Sequence, residues 1–200
     1  MKPLDRLGQN WRVAKARRYI LPGSRVLDIG CADGALFRAA GSRIRGGLGI
    51  DPQAGPAAVD GGFQLIAGNF PQDIGDPQPF DAIVALAVLE HVPLDAQPEF
   101  ASACHRLLTP GGRVIITVPS PVVDRIVHLE QALGLADGME LHQHFGFDPA
   151  ETIPLFRAAG FRLETARSFQ LGLNHLFVFG RPITPESQEL EGAVSHAIAR

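Results

Sequence analysis

The sequence predicts a doubly wound α/β domain, a mostly parallel sheet with helices on both faces and an antiparallel last strand. Three observations carry this. From Arg25 onward short apolar runs of β type alternate with helical stretches. The runs are apolar at successive positions rather than every second one, so both of their faces must be covered. The last two runs, residues 161–169 and 175–179, are joined through Gly172 and lie close enough for a hairpin at the sheet edge. With 200 residues there is room for one domain, of radius of gyration about 16 Å. A hydrophobic share of 46%, 20% charged residues and a net charge of -3 allow an ordinary core and exclude wholesale disorder.

In the first twenty residues six basic side chains stand against one acid, and Leu4, Leu7, Trp11 and Ala14 recur at helical spacing. This predicts an amphipathic helix docked on the domain by that stripe. A basic helix also suits RNA or an acidic membrane. The remaining 180 residues are net acidic with no second basic cluster, so the basic face reads as solvated. RVLDI is then the first strand, residues 35–40 a helix, GLGI a second strand followed by a Pro-rich turn, and FQLIA a third. DAIVAL is the fourth. Residues 95–108 form a helix, with Phe100, Ala103, Cys104, Leu107 and Leu108 on one stripe, and Thr109-Pro110-Gly111-Gly112 stops it before RVIITV. Val122, Ile126, Leu129 and Leu133 predict another helix. Asp148-Pro149-Ala150-Glu151 reads as an N-cap, a first-position proline and a capping-box glutamate, with Gly160 closing that helix. Beyond Pro182 a frayed tail or a loose final helix is expected.

Several classes are excluded. The longest apolar run, residues 82–89, is eight residues, against the roughly 20 of a membrane-spanning helix. The basic start has no apolar core and no small-residue cleavage site, unlike a secretory signal, so a cytoplasmic protein is expected. Two cysteines, Cys31 and Cys104, make neither a disulfide scaffold nor a cysteine-only zinc site.

The chemistry concentrates after the first two strands. Asp28-Ile29-Gly30-Cys31-Ala32-Asp33-Gly34 places a turn of small residues between a buried strand and a helix. Glycines let a ligand approach the backbone, and the helix start offers unpaired N–H groups. Gly49-Ile50-Asp51 ends the second strand in a carboxylate, where doubly wound folds bind both ribose hydroxyls. Each feature alone is common as a plain turn; their joint spacing points to a nucleotide-like cofactor. A dinucleotide fingerprint, G-x-G-x-x-G, is not matched.

The loop instead resembles that of the class I S-adenosylmethionine-dependent methyltransferases, acid-x-Gly-x-Gly-x-Gly, at Asp28, Gly30 and Gly34, with Ala32 in place of the middle glycine. Phe80-Asp81-Ala82-Ile83-Val84, Leu89-Glu90-His91-Val92 and Leu107-Leu108-Thr109-Pro110-Gly111-Gly112 extend the likeness over roughly residues 24–180. They point to the small-molecule branch similar to ubiquinone-biosynthesis enzymes. The resemblance implies a Rossmann-like seven-stranded sheet, with residues 1–22 as a packed helix, 23–182 as the methyltransferase domain and 183–200 as a tail. It implies a cofactor side in which Asp28 lies under the methionine end and Gly30, Cys31, Ala32 and Gly34 form the cradle. Asp51 holds the ribose with Pro52 beside it, Gly68, Asn69 and Phe70 lie beside adenine, and the backbone at Ala85 and Leu86 accepts the ammonium.

On the substrate side the resemblance puts His91, with Glu90, where the chain leaves the fourth strand. An imidazole there either takes a proton from an acceptor hydroxyl or fixes the turn by hydrogen bonding the backbone. His142 and His144 resemble a segment facing the acceptor. Two histidines at i and i+2 without a third or a well-spaced carboxylate do not make a metal site, so no metal is expected. Trp11 and Tyr19, with the 122–133 helix, form the expected lid. The implied reaction is methyl transfer from S-adenosylmethionine to a small-molecule acceptor, at oxygen ahead of nitrogen or carbon, with S-adenosylhomocysteine as product. The rivals are a nicotinamide-dependent oxidoreductase, an RNA methyltransferase and a cofactor-binding partner subunit. No membrane partner is expected, nucleic acid is disfavoured, and a homo-oligomer is left open.

Overall fold

A computed structural model of the chain describes residues 3–55, 57–59, 62–120 and 147–183. The predicted 122–133 helix, His142, His144 and residues 184–200 of the tail lie outside the described residues. In chain order the elements are α1 (Pro3–Ala16), β1 (Arg25–Ile29), α2 (Ala35–Ala40), β2 (Gly46–Asp51), β3 (Ala57–Val59), β4 (Phe63–Ala67) and β5 (Phe80–Leu86). They continue with α3 (Gln97–Leu107), β6 (Leu108–Pro119), α4 (Thr152–Ala158), β7 (Arg162–Phe169) and β8 (Asn174–Gly180).

The sheet runs β3-β4-β2-β1-β5-β6-β8-β7. Strands β4, β2, β1, β5 and β6 are mutually parallel, and β8 is antiparallel to both β6 and β7. The seven predicted strands are all present, and the antiparallel last strand is inserted between β6 and β7. β3 is an addition, a three-residue edge antiparallel to β4. Three residues beside Pro52 and Pro56 carry too little periodicity to read as a strand.

Central strands are buried on both faces, as in β1 and β5, and alternation sorts their side chains into two cores. One face carries Leu27, Ile29, Ile50, Ile83 and Ile116 against Phe100 and Cys104 of α3 and Phe156 of α4. The other carries Val26, Val84, Ile115 and Val178 against Val13 and Ala16 of α1 and Leu36 and Phe37 of α2. Gly47 permits the second: a Cβ there would lie 2.8 Å from Phe37 Cε1, and the Phe37 ring stacks on Phe63 at 4.7 Å.

One expectation is corrected. The docked face of α1 is not the Leu7–Trp11–Ala14 stripe: Leu7 is 63% and Trp11 47% exposed, whereas Val13 and Ala16, on the opposite side of the helix, are buried. Close packing against α2, β5 and β6 selects the short residues, because a Trp at the contact would hold the axis away from the sheet. The Thr109-Pro110-Gly111-Gly112 stop holds, since α3 ends at Leu107. β6 starts at Leu108 directly after α3 and absorbs it, with a register irregularity between Phe80 and Ala82 on its partner strand. Downstream, Asp148 caps its turn as predicted, its Oδ1 accepting from the Ala150 N–H at 2.9 Å.

Candidate functional site

β1 lies between β2 and β5, and the chain runs from β1 to β2 on one side but from β5 to β6 on the other, so the connections after β1 and β5 diverge and open a crevice. A cleft of about 720 Å³ occupies that place. Its walls are the loop after β1 (Gly30, Ala32, Asp33), the end of β2 (Asp51, Pro52, Gln53), the turn after β4 (Gly68, Asn69, Phe70) and the segment after β5 (Ala87, Val88, His91, Val92), with Phe100 from α3.

Local chemistry explains each wall. Gly30 adopts φ +73° and its N–H donates to Ile50 O at 2.8 Å. A Cβ on it would lie 2.4 Å from Val88 Cγ2, so glycine is what lets the β5 segment close on the loop. Ala32 holds φ +45°, the left-handed region that glycine adopts more readily. Asp51 ties that conformation down: its Oδ2 accepts from the Ala32 N–H at 3.1 Å and its Oδ1 from the Gln53 N–H at 2.7 Å. The carboxylate is thus oriented by two backbone donors and keeps acceptor capacity toward the cleft. After β4, Asp73 plays the same part, its Oδ2 accepting from the Asn69 N–H at 2.7 Å.

A smaller chamber of about 190 Å³ lies beyond the throat formed by Gly30, Ala32 and Ala87, which line both spaces. Gln9 and Arg12 of α1, Asp28 and Leu86 bound it. Asp28 is 4% exposed. Burial, reinforced by the carboxylates of Asp51 and Asp33, pushes its carboxyl up to about 8, so it holds a proton at neutral pH. Burial likewise pushes the Cys31 thiol up to about 12, which removes it as a nucleophile. Its sulfur packs against Gly49.

Of the residues singled out in the sequence, Gly30, Ala32, Asp51, Pro52, Gly68, Asn69, Phe70 and His91 meet in the cleft, and Asp28, Cys31 and Leu86 in the smaller chamber. Gly34 does not line either; it starts α2 with φ +76°. Ala85 is fully buried in the sheet. Glu90, 2% exposed, is buried in the turn and not among the lining residues. Trp11 and Tyr19 reach neither space: Trp11 is exposed and Tyr19 packs on the second core. Gln9, Arg12, Asp73, Ala87, Val88 and Phe100 were not legible as site residues. Ala87 carries a signal only in three dimensions, φ +58° without being glycine.

Residues 6–166 match a family described as a methyltransferase domain. A ubiquinone biosynthesis O-methyltransferase of Pseudomonas aeruginosa is 38% identical over 128 residues, 58% of this chain and 53% of that protein. One from Pseudomonas syringae pv. tomato is 33% identical over 150 residues, 67% of this chain and 62% of that protein. The chain thus spans about half the length of the curated relatives it matches. Among solved structures, magnesium protoporphyrin IX methyltransferase from Synechocystis PCC 6803 with bound SAH superposes with a TM-score of 0.65 at 18% identity, over 88% of this chain and 84% of that one. An S-adenosylmethionine dependent methyltransferase from Mesorhizobium loti gives 0.64 at 19% identity, over 84% and 96%. These two structures share the fold. By the match over most of its length, the chain belongs to the methyltransferase-domain family.

Proposed function

We propose that the protein transfers a methyl group from S-adenosylmethionine to a small-molecule acceptor, at oxygen. The observation that carries this is the bond between Asp51 and Ala32: the acid ending β2 and the cradle after β1 form one unit at the switch point of the sheet. The residues fit the cofactor. The cleft falls within the roughly 300–1,000 Å³ of small-ligand sites, and Asp51 is pre-oriented by two backbone donors with acceptor capacity to spare.

When bound, S-adenosylmethionine supplies a methyl group activated on a positively charged sulfur. Asp51 would accept from the ribose hydroxyls, and Asn69 and Phe70 would meet the base, one with an amide and one with a ring. The chamber bounded by Arg12, Asp28 and Leu86 suits a zwitterionic tail: a guanidinium for a carboxylate, and for an ammonium the backbone carbonyls together with Asp28, which would give up its proton beside that positive charge. Because positive charge disappears in the transfer, the chain's main contribution is alignment of acceptor and methyl, which in favourable cases is worth about 7–11 kcal/mol. His91, which is exposed and lines the cleft, would take the acceptor's proton, an effect of about 10²- to 10⁴-fold.

Acceptor class is supported by the curated relatives, which are ubiquinone biosynthesis O-methyltransferases. Incubation with methyl-labelled S-adenosylmethionine and a metabolite extract tests it. A labelled small molecule whose formation Asp51→Ala abolishes is the expected result; label found only in RNA or protein would replace the acceptor reading. His91→Ala should lower turnover while S-adenosylhomocysteine binds as before, and turnover unchanged from about pH 6 to 9 would remove His91 as the base.

A further inference from the structure

Gln97 opens α3 and is 5% exposed, yet it is not among the residues lining the cleft. Its Nε2 donates to Leu89 O at 3.3 Å and to Val92 O at 3.1 Å. Both partners are carbonyls, so the side chain must present its NH2 group here, and both hydrogens are used. The two carbonyls bracket the 3₁₀ turn Leu89–His91. The turn's own backbone bonds, His91 N–H to Val88 O at 2.9 Å and Val92 N–H to Leu89 O at 3.1 Å, span a single winding, and no side chain caps its start. Such short 3₁₀ pieces hold poorly by themselves.

What the turn carries gives the tie its meaning. Val88, His91 and Val92 line the cleft, and Val88 packs on Gly30 where a Cβ is missing. A shift of the turn would move the imidazole and the wall against the cradle together. We propose that Gln97 is a positioning residue for methyl transfer: its buried amide clamps both ends of the 89–92 turn, and so fixes His91 toward the acceptor and Val88 against the Gly30 loop. This rests on the cofactor reading given above and extends it to a residue that touches neither ligand.

Calorimetric titration of S-adenosylhomocysteine into the wild-type protein, Gln97→Met and Gln97→Glu tests this, combined with NMR of the ring of His91 and with thermal midpoints. Gln97→Met, which loses both hydrogen bonds to the turn, should weaken binding by about tenfold and shift the His91 ring signals. In Gln97→Glu at about pH 8, a carboxylate facing two carbonyls should be at least as damaging. At about pH 5.5 its protonated form regains one donor, so its affinity relative to wild type should recover in part. If both variants bind within twofold of wild type at both pH values with unmoved His91 signals, Gln97 only packs the turn and the proposal is overturned, even where the thermal midpoint falls. If the wild-type protein does not bind S-adenosylhomocysteine, the cofactor reading fails, and the His91 signals still decide whether Gln97 holds the turn. Should Gln97→Met not fold, the isosteric Gln97→Glu at low pH carries the comparison.

Discussion

Two carboxylates one strand apart have opposite environments, and each makes its own prediction. Asp51 is tied by the Ala32 and Gln53 N–H groups at the mouth of the cleft. Asp51→Ala removes the ribose acceptor and frees the cradle together, so S-adenosylhomocysteine affinity should fall by about 10- to 100-fold, the value of one or two hydrogen bonds to a charged group. Unchanged affinity by calorimetry would contradict the ribose assignment. Asp28 is buried and its carboxyl is pushed from 3.8 up to about 8. Below about pH 4 it is protonated in folded and unfolded chains alike. Between about pH 4 and 8 the folded protein keeps a proton that the unfolded chain loses, so this group makes stability fall as pH rises through that window, and the loss levels off above it. Asp28→Asn should abolish that slope and stabilise the protein at pH 8 by on the order of a few kcal/mol, read by denaturant melts at several pH values. The strength of Asp51 was legible because it sits at a strand end; the proton on Asp28 was not, since it depends on what surrounds the strand.

At the scale of elements, the loop after β1 and the turn after β5 make one throat, and the backbone of both is strained where alanines stand in the left-handed region, at Ala32 and Ala87. Substitutions in this loop should therefore have opposite signs. Gly30→Ala adds a Cβ 2.4 Å from Val88 Cγ2 at a residue with φ +73°. It should cost about 1–2 kcal/mol from conformation alone and weaken S-adenosylhomocysteine binding by displacing the turn. Ala32→Gly relieves a φ of +45° and should leave stability equal or raise it by up to about 1 kcal/mol. Thermal melts with and without S-adenosylhomocysteine check both; a Gly30→Ala protein with wild-type stability and affinity would show that the throat yields. The α1 helix gives the complementary lesson. Leu7, Trp11 and Ala14 of its apolar period face solvent, and the face that docks brings Gln9 and Arg12 to the smaller chamber.

For the molecule as a whole, the sheet separates support from chemistry. The α4, β7 and β8 segment adds an aromatic cluster, with Phe156 stacked on Phe179 at 4.8 Å and tilted against Phe161 at 5.5 Å, and none of its residues lines the cleft. Phe156→Ala should cost about 3–5 kcal/mol of stability while S-adenosylhomocysteine affinity, measured well below the melting temperature, stays within about twofold of wild type. A parallel loss of affinity would mean that the far edge of the sheet helps to shape the cleft. No helix among the described residues is long and apolar enough to cross a membrane.

What the chain determined by itself was whatever lies contiguous along it. The strands read from unbroken apolar runs, the cradle from Asp28 to Gly34, the acid at the end of β2 and the Asp148 cap are all local, each fixed by residues within a few positions of one another. Only the tertiary structure decided which face of α1 is buried, that Asp73 orients Asn69, that Val88 meets Gly30, and that Gln97 clamps the turn before it. Those relations join a side chain to backbone elsewhere in the fold. They leave no period and no motif, because close packing and hydrogen-bond geometry are set by distance in space rather than by spacing in the chain.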